Sequence, residues 1–223
     1  MAKFTSGDDD VSPDQFSAVL DVLAGPSSWH TYLAPNIATV KNNISSYSFR
    51  VESSDDFSGI YKSMDSDINY SDLKQVWGVT DKWNETIFLR ARTEKPPVSY
   101  LLAALHECVH LVSAPVSPKS AKHSTAREPL GPGVLEGLVE VVAEDVLTSQ
   151  GLQLPSDDWR GHTEAIGIAR ALLGKKNENL PRLAGLLFQG FTADFDKWAK
   201  STYGDATWAK VLCSSRGNCA VKH

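Results

Sequence analysis

The stretch Ser99-Tyr-Leu-Leu-Ala-Ala-Leu-His106-Glu107-Cys-Val-His110-Leu-Val-Ser113 constrains this chain more than any other. Leu101, Leu102, Ala103, Ala104 and Leu105 are apolar almost all the way round a helix, and a helix without a polar face is a buried one. That helix runs directly into His106-Glu107-Cys108-Val109-His110. Positions four apart lie on one helix face, one turn from each other. His106 and His110 can therefore present two imidazoles to a single metal ion, and Glu107, one step round, can reach a water held by that ion. Polar groups in a buried helix are costly unless something satisfies them. A metal does so here; the alternative is a core helix whose histidines are simply hydrogen-bonded.

A second informative stretch runs from Val134 to Leu147. Leu135, Leu138, Val139, Val142 and Val146 form an apolar stripe at helical spacing. Glu136, Glu140 and Glu144 form a neighbouring acidic stripe. Like charges four apart destabilise a helix by a few tenths of a kcal/mol per pair, and a nearby cation reverses that sign. Taken alone, such a stripe reads as a solvated face; after the histidine-bearing helix it reads as metal binding. A catalytic zinc takes three protein ligands and keeps one position for water. Residues 111–116, Leu-Val-Ser-Ala-Pro-Val, supply no third histidine. Glu136 is the best candidate for the third ligand. Glu140, one turn on, is placed to accept a hydrogen bond from the far nitrogen of a ligating histidine, fixing its ring.

The remaining chain supplies the frame. Ser12-Pro13-Asp14 suits a helix start, with Phe16, Val19 and Leu20 on its buried side. Over 44–53, Tyr47, Phe49 and Val51 alternate with Ser48, Arg50 and Glu52, the pattern of a half-buried strand. Ser54-Asp55-Asp56 reads as a turn, 59–61 and 68–70 as short strands, and 77–84 as a turn region. Over 86–92, Ile87, Leu89 and Ala91 alternate with Phe88, Arg90 and Arg92, a second strand. Pro96 and Pro97 suit the first turn of the histidine helix. Residues 114–133, rich in Pro, Ser, Lys and Gly and carrying His123, read as a long irregular loop. Beyond the acidic stripe, 162–173 reads as a helix stopped at Gly174. Residues 180–199 read as one long helix or two broken near Gly190, and 204–212 as a last short one.

Composition excludes several roles. The formal net charge is −5, with no basic stripe and no interleaving of aromatic and basic residues, so a nucleic-acid partner is not expected. No apolar run approaches the ~18 residues that span a bilayer, so no membrane role is expected. The first ten residues lack the apolar core of a signal peptide. We therefore expect synthesis in the cytoplasm, with signal-independent secretion or delivery as an effector left open. Of three cysteines, Cys108 reads as a small core residue. Cys213 and Cys219 read as free thiols or a small disulfide.

His106-Glu-Cys-Val-His110 followed by Glu136-Gly-Leu-Val-Glu140 resembles the gluzincin metallopeptidases, and the compact layout is similar to the small members called minigluzincins. The resemblance covers roughly 86–147 by motif. It implies a zincin-like α+β fold: a small N-terminal β-sheet with the histidine helix packed on it, then a mainly helical C-terminal part. One domain over 1–223 is expected, with an α/β part at 1–97, the zinc-site helices at 98–150 and a helical part at 151–223. The resemblance further implies Zn²⁺ on His106, His110 and Glu136, Glu107 as general base, and a peptide or protein substrate aligned along the 86–92 strand by β-augmentation. A donor for the developing oxyanion is also needed; His162, Tyr203 and His123 are the candidates. Two other classes compete: a binding module that keeps zinc for structure only, and a metal-free helical interaction protein. Oligomeric state is left open.

Overall fold

The computed structural model describes residues 3–5, 47–64, 76–81, 83–91, 97–112, 127–149, 151, 153–154, 163–189 and 192–214. The fold class is α+β, and most of the described residues are helical. No helix among them is long and apolar enough to cross a membrane. The expected helix near Ser12, the 68–70 strand, His123, His162 and the Cys213–Cys219 pairing all lie outside what is described.

Four short strands form one sheet: β1 (Lys3–Thr5), β2 (Ser48–Glu52), β3 (Gly78–Asp81) and β4 (Thr86–Arg90), in the spatial order β1-β2-β4-β3. β1 and β4 both run parallel to β2, and β3 runs antiparallel to β4. Residues directly opposite one another project from the same face. Phe49 pairs with Ile87, which pairs with Thr80, and Val51 pairs with Leu89, which pairs with Gly78. Phe49, Ile87 and Leu89 are wholly buried, so this face is the apolar one, as the alternation at 47–51 and 87–91 predicts.

On the other face α1 (Ser54–Met64) packs against Arg90. Its buried Phe57 lies under the Arg90 guanidinium, 5.7 Å from ring centroid to Cζ. Arg90 Nε donates to Ser54 Oγ at 2.9 Å and Nη2 to Ser58 Oγ at 3.3 Å. Arg90 is thus buried rather than on a solvated strand face. The expectation of a turn at 54–56 and a strand at 59–61 is corrected: both lie in α1. The start signal is Ser53, whose Oγ accepts from Asp56 N at 3.2 Å and donates to Asp56 Oδ2 at 2.6 Å, a serine N-cap held by the third helical residue.

The turn expected over 77–84 is also corrected. Residues 78–81 are β3, and the turn proper is shorter. Asp81 builds it: Oδ1 accepts from Trp83 N at 2.9 Å and Asn84 N at 3.1 Å, and Oδ2 from Asn84 Nδ2 at 2.7 Å. Burial pushes the Asp81 carboxyl up, but these hydrogen bonds outweigh it and hold it below the ordinary range.

α2 (Pro97–Val112) carries the histidine motif and buries Leu101, Leu102, Ala104, Leu105, Cys108, Val109 and Leu111. α3 (Arg127–Ser149) begins inside the stretch expected to be loop. It buries residues on every side, Val141, Ala143 and Leu147 as well as the expected stripe. Then come α4 (Thr163–Leu173), a 3₁₀ turn (Lys175–Asn177), α5 (Leu180–Gln189), α6 (Ala193–Tyr203) and α7 (Asp205–Ser214). The 180–199 stretch is therefore two helices. Thr192 caps the second, its Oγ1 accepting from Phe195 N at 3.1 Å.

The chain divides into two compact units. One holds the sheet, α1, α2 as far as Leu111 and α3 from Val142. The other holds α3 up to Val141 and helices α4 to α7. In the second unit, Gly137 is the point where α3 and α4 touch backbone to backbone. A Cβ there would sit 2.1 Å from the Ala165 carbonyl oxygen and 3.0 Å from Ala169 Cβ. Trp208, on α7, is buried and donates from Nε1 to Asp196 Oδ1 of α6 at 2.9 Å.

Candidate metal centre

The helical spacing of His106 and His110 has the consequence expected of it. Their Nε2 atoms are 3.0 Å apart, and the ring centroids are 4.8 Å apart in an edge arrangement. Two ligands at zinc–nitrogen distances of ~2.0–2.1 Å around a tetrahedral ion lie about 3.3 Å from each other. The two nitrogens therefore converge to nearly the separation that one zinc requires. A carboxylate oxygen of Glu136 joins them, so that the three ligand atoms all lie within 4.8 Å of one another. Two imidazole nitrogens and one carboxylate oxygen match the donor set of a catalytic zinc that keeps a fourth position open. On the chemistry of the donors and the nitrogen spacing, these residues fit zinc.

The acidic stripe of α3 is not a solvated face. Glu136 and Glu140 are half-buried and Glu144 is buried. Carboxylates withdrawn from water need partners or cations, which weakens the bland explanation of the stripe. Glu140 stands one turn beyond Glu136, where the sequence puts it.

Glu107 is buried. Its Oε2 accepts a hydrogen bond from Thr80 Oγ1 at 2.8 Å. Its side chain also lies against Gly78: a Cβ built there would be 2.9 Å from Glu107 Cγ and 3.0 Å from Oε1. The reading of 77–84 as a turn hides Gly78 and Thr80 from the sequence. The signal that was available is Gly-Val-Thr-Asp ahead of Asn84, two strand-forming residues with an Asp set to close a turn.

Cys108 is wholly buried, and burial first, then the neighbouring Glu107 carboxylate, pushes its thiol well above the usual range. It is a core residue and not a thiolate ligand. Tyr203, a candidate oxyanion donor, gives its hydroxyl proton to the Leu172 carbonyl at 2.6 Å. Burial raises it to about 12, a hydrogen bond with Asn179 offsetting part of the rise. To act on a substrate it would have to leave that bond. The 86–92 strand cannot align a substrate as expected: β4 is paired along its length with β2 on one side and β3 on the other, so neither of its edges is open.

Comparison with protein-family models, with curated proteins and with solved structures found no match to this chain.

Proposed function

We propose that this chain is a zinc-dependent metallopeptidase with a gluzincin-like centre on a zincin-like α+β fold. The observation that carries this is the convergence of His106, His110 and Glu136 ligand atoms, with Glu107 next to the first of them on the same helix. Bound there, zinc would supply a water that ionises near neutral pH and a Lewis acid for the scissile carbonyl.

The chain's own residues do the rest. Glu107 accepts the proton of the attacking water as its oxygen bonds to the carbonyl carbon. It then delivers that proton to the amine nitrogen as the carbon–nitrogen bond breaks. Glu140 holds a ligating imidazole in register through its other ring nitrogen. The substrate is a peptide or protein. The net charge of −5 argues against a nucleic-acid substrate.

The test is metal content together with peptide hydrolysis in Glu107→Ala. We expect about one zinc per chain in both proteins and a loss of hydrolysis of at least ~100-fold in the variant. Full activity in Glu107→Ala would reject the mechanism. A wild-type protein that holds zinc and hydrolyses nothing would favour the structural zinc module.

A further inference from the structure

Glu107 reaches its position through several rotatable bonds, and a general base is effective only when its oxygen stays within hydrogen-bond reach of the proton it takes. Something must hold it. The first unit provides a rigid strand for this purpose. β3 is paired to β4 from Gly78↔Leu89 to Asp81↔Thr86, extended by Arg90 N donating to the Trp77 carbonyl at 2.9 Å. Asp81 ties down its turn. Residues two apart on a strand share a face, so Gly78 and Thr80 both meet Glu107.

The two contacts differ in kind. Thr80 donates its hydroxyl proton to Oε2 at 2.8 Å, a charge-assisted bond of the stronger class. Gly78 contributes room: the flank of the carboxylate lies where any larger residue would carry its Cβ. We propose that β3 cradles the general base, with Thr80 as a positioning residue that fixes the Glu107 carboxylate by hydrogen bonding and Gly78 as the gap that admits it. This inference rests on the metallopeptidase function proposed above. It assigns catalytic importance to a strand without a metal ligand, and it predicts which substitutions there are tolerated.

Thr80→Val keeps the shape and removes the donor; Thr80→Ser keeps the donor and trims a methyl. A double-mutant cycle on the full-length, metal-free protein tests the contact by urea unfolding. Thr80→Val should lower the folding equilibrium constant roughly 10- to 150-fold when Glu107 is present, and far less in a Glu107→Ala background. Equal losses in both backgrounds would overturn the contact.

The zinc-loaded proteins are then assayed on an internally quenched peptide selected from a random library by wild-type cleavage. Thr80→Val and Gly78→Ala should keep one zinc per chain and a near-normal KM while kcat falls about 10- to 100-fold. Thr80→Ser should recover most of kcat. A fully active, zinc-loaded Thr80→Val would overturn this inference alone. A zinc-loaded wild type that cleaves no library member would instead overturn the metallopeptidase function, and with it the catalytic purpose of the cradle.

Discussion

At the scale of single residues, the chemistry-bearing positions and their supports differ sharply in how they can be read. His106, Glu107 and His110 follow from one helical repeat, and local spacing is enough to bring two ring nitrogens to 3.0 Å. Thr80 is 27 positions before Glu107, and no local rule joins them. Tyr203 shows the same difficulty from the other side. It is one of the three candidate oxyanion donors, yet its hydroxyl is bound to Leu172, whose carbonyl lies in the last turn of α4 and lacks a helical partner. Asn179 Nδ2 donates to the same oxygen at 3.0 Å. Tyr203→Phe should therefore cost only about 1 kcal/mol near neutral pH, because the carbonyl keeps a second donor. The pH dependence is more telling. The folded value of about 12 stands above the ordinary 10.0, so the native state favours the neutral phenol. This contribution is complete below pH 10 and is lost as pH rises towards 12. Alkaline unfolding followed by circular dichroism should lose part of its slope in that window in Tyr203→Phe. An identical slope in both proteins would mean that Tyr203 does not titrate in a buried bond.

At the scale of elements, periodicity served well where one face or a whole cylinder is apolar, and failed where small residues carry the signal. The strand Thr86–Arg90 and the helix Pro97–Val112 are plain in the pattern of Ile87, Leu89, Leu101 and Leu105. α1 is not legible in the sequence because Ser-Asp-Asp-Phe-Ser-Gly is poor in strong helix formers; it is held by the Ser53 cap, Phe57 burial and the Arg90 bonds. The early start of α3 is hidden because Pro and Gly at 129–133 read as loop. The contact between α3 and α4 was equally hidden, since it depends on the absence of a side chain at Gly137. Two substitutions separate propensity from packing there. Gly137→Ala would force a methyl to within 2.1 Å of a backbone oxygen, so a helix must shift. We expect a loss of 1–3 kcal/mol or more, of the order seen for overpacked cores. Gly167→Ala, within exposed α4 surface and with nothing within 4 Å of the added Cβ, should gain roughly 0.5–1 kcal/mol by propensity alone. Urea midpoints of the two variants should move in opposite directions; movement in the same direction would remove the close crossing.

At the scale of the whole molecule, the zinc of the proposed centre would be a folding ligand as well as a catalytic one. In the proposed centre α2 would supply two ligands and α3 the third, so the donor set would be complete only when both helices are formed. Anything that binds the native state and not the unfolded chain stabilises it by an amount set by its concentration over Kd, about 2.7 kcal/mol at a hundredfold excess. Metal-free protein should therefore melt lower than protein given zinc, and a chelator should return the loaded protein to the lower Tm. His110→Ala and Glu136→Ala each remove one of the three proposed ligands, so both should lose most of the zinc-dependent rise. Glu107→Ala removes none and should keep it, which separates metal binding from proton transfer in one series of melts. The rise should also fade on acidification, because imidazole must be neutral to bind metal and protons compete for the same nitrogens. If Glu136→Ala alone retained the full rise, the third ligand would have to be another group, and Glu140 and Glu144 would be the next to replace. If every variant kept it, zinc would be binding elsewhere on the chain, and the convergence of the two histidines would be a feature of core packing rather than of catalysis.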